Sequence, residues 1–213
     1  MATERAPLTR ARIAHEALAL IDAEGLAKLS MRRLAGRLEV EAMSLYHHVG
    51  DKSELLVVVA DLVLSEIAGS TSTDWGERIT DVLGQFRAAC LAHPGAMPLV
   101  VATGFTTPSA LGPIDTILGA LEQAGLDERQ RVRGFRLLLA FSLGSISCEL
   151  AESTEDSDDA HSARSVEPGI DSPFTHLDSV GELLWNCDHD ADFSDGLRQV
   201  LAALVDERTS TGG

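Results

Sequence analysis

Cysteine, long apolar runs and catalytic motifs are all scarce in this chain of 213 residues. Its three cysteines, Cys90, Cys148 and Cys187, stand far apart and odd in number. No disulfide framework is therefore implied, and a reducing compartment is the simpler setting. The longest apolar runs, Leu55 to Ala60 and Leu137 to Phe141, fall far short of the ~18–20 residues a membrane span needs. Met1 to Arg12 holds no apolar stretch of leader-peptide length, so a cytoplasmic protein away from membranes is expected. There is no nucleophile elbow, no P-loop and no glycine-rich dinucleotide turn, so no enzyme is expected. Cys187-Asp188-His189-Asp190 sets soft and hard ligands side by side. Without a second Cys/His pair at zinc spacing it is expected to be a solvated loop, with no metal or cofactor.

What is present is charge, unevenly spread. The net charge is −16, which argues against indiscriminate binding to polyanions. Residues 1–54, however, carry eight basic and eight acidic side chains, so the whole excess lies in residues 55–213. A nucleic-acid-binding head on an acidic body fits that distribution. Hydrophobic residues make up 45% of the chain, enough at this length for a core without metal or disulfide support.

The apolar period is helical throughout. Ile13, Ala17, Leu18 and Ile21 form one stripe between a Thr9 cap and a Gly25 stop, predicting a helix over about 10–24. Ser30 opens a short helix burying Leu34, Ala35 and Leu38, and a third segment runs from about Ala42 to His47. Asp51 and Glu54 have capping-box spacing at the head of a helix carried to Ala68 and closed by Gly69. Gly69 to Asp74 reads as a hinge. Further helices are expected from Trp75 to Pro94, from Met97 to Ala102, and from Ser109 to Ala124 with Pro113 near its first turn. Three more follow, from Asp127 to about Leu150, from Leu177 to Trp185 and from Phe193 to Val205. Residues 152–173 are acidic and nearly free of large apolar side chains, which predicts a flexible loop. No segment reads as a strand, and the expected class is all-α.

Residues 26–52 carry the chemistry. Two helices of about two turns, joined by roughly three residues, form a helix-turn-helix whose second helix projects its first residues into a major groove. The runs Leu29-Ser30-Met31-Arg32-Arg33-Leu34-Ala35, Ser44-Leu45-Tyr46-His47-His48-Val49 and Asp51-Lys52-Ser53-Glu54-Leu55-Leu56 resemble the DNA-binding signature of the tetracycline-repressor (TetR) family. More weakly, Gln85-Phe86-Arg87, His93-Pro94-Gly95-Ala96 and Phe141-Ser142-Leu143-Gly144 resemble the C-terminal domain of the tetracycline repressor type.

The resemblance implies a three-helix DNA-binding head over residues 1–68 and a helical ligand-binding and dimerisation body over 69–213. It implies DNA contacts at Met31, Arg32, Ala42, Met43, Ser44, Tyr46, His47, His48 and Lys52. Lys52, Tyr46 and His48 suit phosphates; Arg32 suits a phosphate or a guanine edge; Ala42, Met43 and Ser44 suit base edges and thymine methyls. The turn, where the family usually has Gly, holds Glu39, so either its geometry differs or it accepts a strained left-handed residue.

For the body, the resemblance implies a small-molecule inducer and a homodimer built from helices near 127–150 and 194–207. Candidate ligand residues are Phe86, Cys90, His93, Met97, Thr103, Phe105, Leu121, Phe135, Arg136 and Phe141. Most of the apolar ones are more often plain core in helical stripes of this kind. Arg87, Ile117 and Ser142 are secondary candidates. Where the tetracycline repressor has a histidine for a drug-bound metal, this chain has Met97, Pro98 and Leu99, so an apolar inducer other than tetracycline is expected. The combined expectation is a ligand-responsive regulator, a repressor on palindromic operator DNA. The competing reading is a helical small-molecule binder or protein adaptor whose head does not bind DNA.

Overall fold

The computed structural model describes residues 7–103, 106–153, 176, 180 and 187–210. Its regular elements are all helical: α1 (Arg10–Glu24), α2 (Met31–Leu38), α3 (Ala42–Tyr46), α4 (Lys52–Leu64), α5 (Trp75–Ala92), α6 (Met97–Ala102), α7 (Pro108–Gln123), α8 (Glu128–Ser153) and α9 (His189–Ser210). Short 3-10 turns at Leu26–Lys28 and Pro94–Ala96 join α1 to α2 and α5 to α6. The chain divides into two compact units, Met1–Gln123 and Ala124–Gly213.

In the first unit the helices begin where side chains can take up orphan backbone N–H groups. Thr9 accepts from Arg12 N, Ser30 from Arg33 N, Asp51 from Glu54 N and Asp74 from Glu77 N. The head core is aliphatic: Ile13, Ala17, Leu20 and Ile21 from α1, Leu34, Ala35 and Leu38 from α2, Leu45 from α3, and Leu55 and Val59 from α4 are all buried. Fully burying one such leucine or isoleucine contributes roughly 1.5–3 kcal/mol, so these few residues hold a head of very short helices. Arg33–Glu24 and Arg37–Glu16 ion pairs brace α2 against α1. Exposed pairs of this kind orient more than they stabilise.

α4 stops at Leu64, short of the Ala68 end that the apolar pattern suggests. The Ser65 hydroxyl donates to the Leu62 carbonyl (2.6 Å), and Glu66 N and Ile67 N bond three residues back, to Val63 O and Leu64 O. This tightening is how a helix end winds off, and it turns Glu66 toward α5. The expected hinge is clipped in place. Gln85 accepts from Ala68 N and donates to Gly69 O, Ser72 donates to Glu77, and Gln123 donates to Thr73 O. Pro113 lies in the second turn of α7, which begins at Pro108. The Asp61 carboxylate on α4 accepts from Ser109 N at that helix's start (2.8 Å).

In the second unit Asp127 and Gln130 cap each other reciprocally, Gln130 N to Asp127 Oδ1 and Asp127 N to Gln130 Oε1, both 2.9 Å. α8 packs on α9 through Leu138, Ile146, Phe193, Leu197, Leu201 and Leu204. At Gly196 a Cβ would sit 2.5 Å from Phe141 Cζ, so the absence of a side chain admits that ring, which also lies 5.7 Å from the Phe193 ring. α9 starts four residues earlier than the apolar stripe indicates, because Asp188 accepts from Ala191 N as its cap. Cys187-Asp188-His189-Asp190 is thus a helix start rather than a solvated loop, with His189 bonded to Glu152 at 2.8 Å. By length and composition alone Glu128–Glu152 is the one helix among the described residues that could cross a membrane, and 22% of its most apolar 18-residue window is buried in the protomer. The loop expected over 152–173, beyond Ser153, and the helix expected over 177–185, apart from Val180, lie outside the described residues.

Candidate nucleic-acid interface

α2 and α3 meet across a turn whose geometry answers the Glu39 question. Glu39 has φ 54° and ψ 44°, the one non-glycine in the left-handed region among the described residues. Its N–H bonds to Gly36 O at 3.2 Å, and Val40 N reaches Ala35 O at 3.0 Å. The turn accepts the strain. A β-carbon in that region costs about 1–2 kcal/mol, while glycine costs roughly 0.5–1 kcal/mol in unfolded-state entropy. Glu39→Gly is therefore expected to raise stability by up to ~1 kcal/mol, read from the urea midpoint; an unchanged or lower midpoint would show the turn to be unstrained.

α3 buries one side chain fully and leaves the other four wholly or partly exposed. Leu45 is fully buried, whereas Met43 is 67% and Tyr46 40% exposed. His47, His48 and Arg32 are exposed, and Ala42 and Ser44 are half-buried. Arg32, Met43, Ser44, Tyr46, His47 and His48 are all left accessible within one short helix-turn-helix. Two expected DNA contacts read differently. Met31 is 8% exposed at the first position of α2, so its apolar side chain belongs to the head core. Lys52 donates its ammonium to Leu29 O at 2.7 Å. It ties the start of α4 to the residue before the Ser30 cap, and its two remaining protons are what it could offer a phosphate. Arg10–Glu54 (2.7 Å) adds a strut from α1 to α4.

The ligand candidates separate by unit. In the first, Phe86 and Cys90 on α5 and Leu121 on α7 are buried, as is Ile117. Burial pushes the Cys90 thiol up to about 12, so it is a packing group rather than a nucleophile or metal ligand. Met97 and Thr103 bound α6 and are half-buried; Thr103 Oγ1 donates to Val100 O at 2.9 Å. His93 departs from the expected pocket role. Its ring bridges Asp22 Oδ2 (2.8 Å) and Glu66 Oε1 (3.0 Å), so both nitrogens are engaged within the protein. In the second unit Phe135 is half-buried, and Ser142 is buried with its hydroxyl on Leu138 O. Phe141 belongs to the α8–α9 seam. Arg136 is exposed in an open groove of about 380 Å³ with Glu128, Arg129, Val132 and Arg133, not in an apolar pocket. Phe105 lies outside the described residues. No group of three or more His, Cys, Asp or Glu placed to hold a metal occurs among the described residues.

Sequence reading missed the ties that hold the head: Lys52 to Leu29 O, Asp61 to Ser109 N, and Asp22 and Glu66 to His93. Each joins residues remote in sequence, so periodicity gives no sign of it.

A short helix-turn-helix braced on a helical body defines a DNA-binding regulator, and comparison with known proteins agrees. The profile of bacterial regulatory proteins of the tetR family matches residues 13–59, and that of the tetracyclin repressor-like C-terminal domain matches residues 68–207. A helix-turn-helix-type transcriptional regulator of Saccharopolyspora erythraea is 31% identical over 67% of this chain; the match spans 61% of that protein's length. The class A tetracycline repressor of Escherichia coli is 28% identical over 90% of this chain and 88% of its own. The crystal structure of ActR from Streptomyces coelicolor superposes with a TM-score of 0.84 at 29% identity in its apo form, covering 97% of this chain and 99% of that one. ActR in complex with actinorhodin gives 0.82, again at 29% identity, over 98% and 100%. The chain belongs to the tetR family of bacterial regulatory proteins: it is a ligand-responsive, DNA-binding transcriptional regulator.

Proposed function

We propose that this regulator is a cytoplasmic dimeric repressor. Two copies of the α2–α3 face hold a palindromic operator, and a fairly apolar small molecule bound by the body releases it. The observation that carries the reading is α3 itself, a five-residue helix that buries Leu45 and leaves Met43, Tyr46 and its histidine neighbours exposed. That division of labour suits a base-reading element with the adjacent Arg32 on hand for a phosphate or guanine.

The dimer reading is supported by α8. A helix this apolar and this little buried has more apolar surface than one protomer covers. Val132, Leu137, Ala140 and Gly144 lie exposed along it, and the small residues among them would let a second helix approach closely. The partner helices would be α8 and α9 of each copy, a four-helix bundle. Replacing Leu137, 47% exposed, by glutamate is expected to shift a dimer toward monomer in sedimentation; an unaltered dimer would place the interface elsewhere.

The inducer reading rests on the apolar side chains of α5 to α7 together with Met97, Pro98 and Leu99 at the start of α6. ActR, similar over nearly the whole chain, is known in complex with actinorhodin, and a polycyclic aromatic molecule of that kind is the first ligand class to try. Binding at the body and at the operator would oppose each other through a coupling of typically ~1–3 kcal/mol.

The test is selection from a random duplex pool followed by sequencing of the retained DNA. A repressor dimer retains palindromes whose half-sites lie about one turn, roughly 34–36 Å, apart. Retention without sequence preference would favour the adaptor or binder reading. Failure of every polycyclic aromatic to release the selected DNA would leave the head's role intact and refute the ligand class.

A further inference from the structure

α5 ends at Ala92, and the chain then makes a tight turn through His93 and Pro94–Ala96 before α6 begins at Met97. This turn lies against the last residues of α1. A Cβ on Gly95 would stand 2.9 Å from Ile21 Cγ2 and 3.0 Å from Ile21 O, so only a glycine seats there without displacing α1. Ala96 beside it is fully buried. On the same turn the His93 ring spans Asp22 from α1 and Glu66 from the segment that winds off α4. α1 in turn carries α2 through the Arg33–Glu24 and Arg37–Glu16 pairs, and α2 carries α3. A continuous line of contacts therefore runs from the end of α5, through one imidazole and one glycine, to the recognition face.

We propose that this turn is the joint that sets the angle at which the head is carried, with His93 as a positioning residue for operator half-site spacing. The inference rests on the reading of the protein as a dimer on a palindrome.

The chemistry gives the joint two states. An imidazolium donates from both ring nitrogens and so ties Asp22 and Glu66 at once. A neutral ring has one N–H and can donate to only one of the two carboxylates, its other nitrogen facing the second with a lone pair. The charged groups that meet the ring are Asp22 and Glu66; Glu24, further along α1, is held by Arg33. Partial burial opposes the charged form, but the hydrogen bonds and charges of Asp22 and then Glu66 outweigh it, and the pKa is raised above 6.5. The double tie is therefore complete on the acid side and is lost as pH rises through that raised value.

The experiment uses the full-length protein and the operator selected above, with matched duplexes in which the half-site spacing is lengthened or shortened by one base pair. The quantity read is the ratio of affinities between correct and altered spacing. Effects of His47 and His48 at the DNA surface are common to all duplexes and cancel in that ratio. For the wild type the ratio is expected to fall about ten-fold, the scale of one charge-assisted hydrogen bond, between about pH 6 and about pH 9. His93→Gln, which cannot carry the charge, is expected to give the lower ratio at every pH, with Asp22→Asn close to it. Gly95→Ala reports the steric half of the joint and should lower the ratio without flattening its pH profile. A wild-type ratio independent of pH, or a His93→Gln ratio equal to wild type on the acid side, would overturn the inference. If no duplex spacing is preferred at any pH, the dimer-on-palindrome reading itself fails, and the joint's role with it.

Discussion

Replacing Leu45 by alanine is expected to cost the head about 2–5 kcal/mol, the range for truncating a fully buried leucine, and to abolish operator binding. The size of the effect follows from the economy of α3. Its five residues bury Leu45 and no other side chain. A helix of that length does not persist on its own, so Leu45 is what holds Met43, Ser44 and Tyr46 in their outward positions. Val49, also fully buried just beyond the helix, contributes to the same anchor. Denaturant unfolding followed by a duplex-binding assay checks both halves. Full binding with a normal midpoint would mean that other contacts position the recognition residues.

The second large effect concerns binding without stability. Arg32 and Tyr46 are exposed and hold up none of the core. Arg32→Ala with Tyr46→Phe is therefore expected to leave the unfolding midpoint within about 0.5 kcal/mol of wild type. The same pair should weaken the selected operator by about 30-fold to 10⁴-fold, the sum of two contacts at roughly 1–3 kcal/mol each. If Arg32 touches phosphate, the salt dependence becomes shallower by about one counterion and all sequences lose alike. If it touches a guanine edge, the preference at one base position relaxes. Either outcome assigns the residue; an unchanged affinity removes both residues from the interface.

The all-α class and most helix starts were legible because each depends on residues close in sequence. Thr9, Ser30, Asp51 and Asp127 cap as their side chains predict, and α1 spans the residues that its apolar stripe marks. Helix ends were less so. α4 stops at Leu64 because Ser65 and the following N–H groups tighten the last turn, which no apolar period registers. α9 begins at His189 because Asp188 caps it. The exposure of the expected DNA-contact residues was readable from the motif except at two positions. Met31 sits on the buried side of α2, and Lys52 finds a carbonyl of the α1–α2 connection. Least legible was the body. Whether Phe141 lines a pocket or a helix seam depends on Gly196, more than fifty residues away, and the partners of His93 come from α1 and from the turn beyond α4. Such pairings are set by tertiary packing and leave no local periodicity.

The exposed face of α2 and α3 is expected to bind duplex DNA by sequence, despite an overall charge of −16. A salt titration of the purified protein on its selected operator and on a scrambled duplex of equal length tests this most directly. Log affinity is expected to fall linearly with log salt, with a slope near −0.9 per phosphate contact, and the operator to be preferred by about 10³-fold or more at physiological salt. Weak binding of equal strength to both duplexes would contradict it.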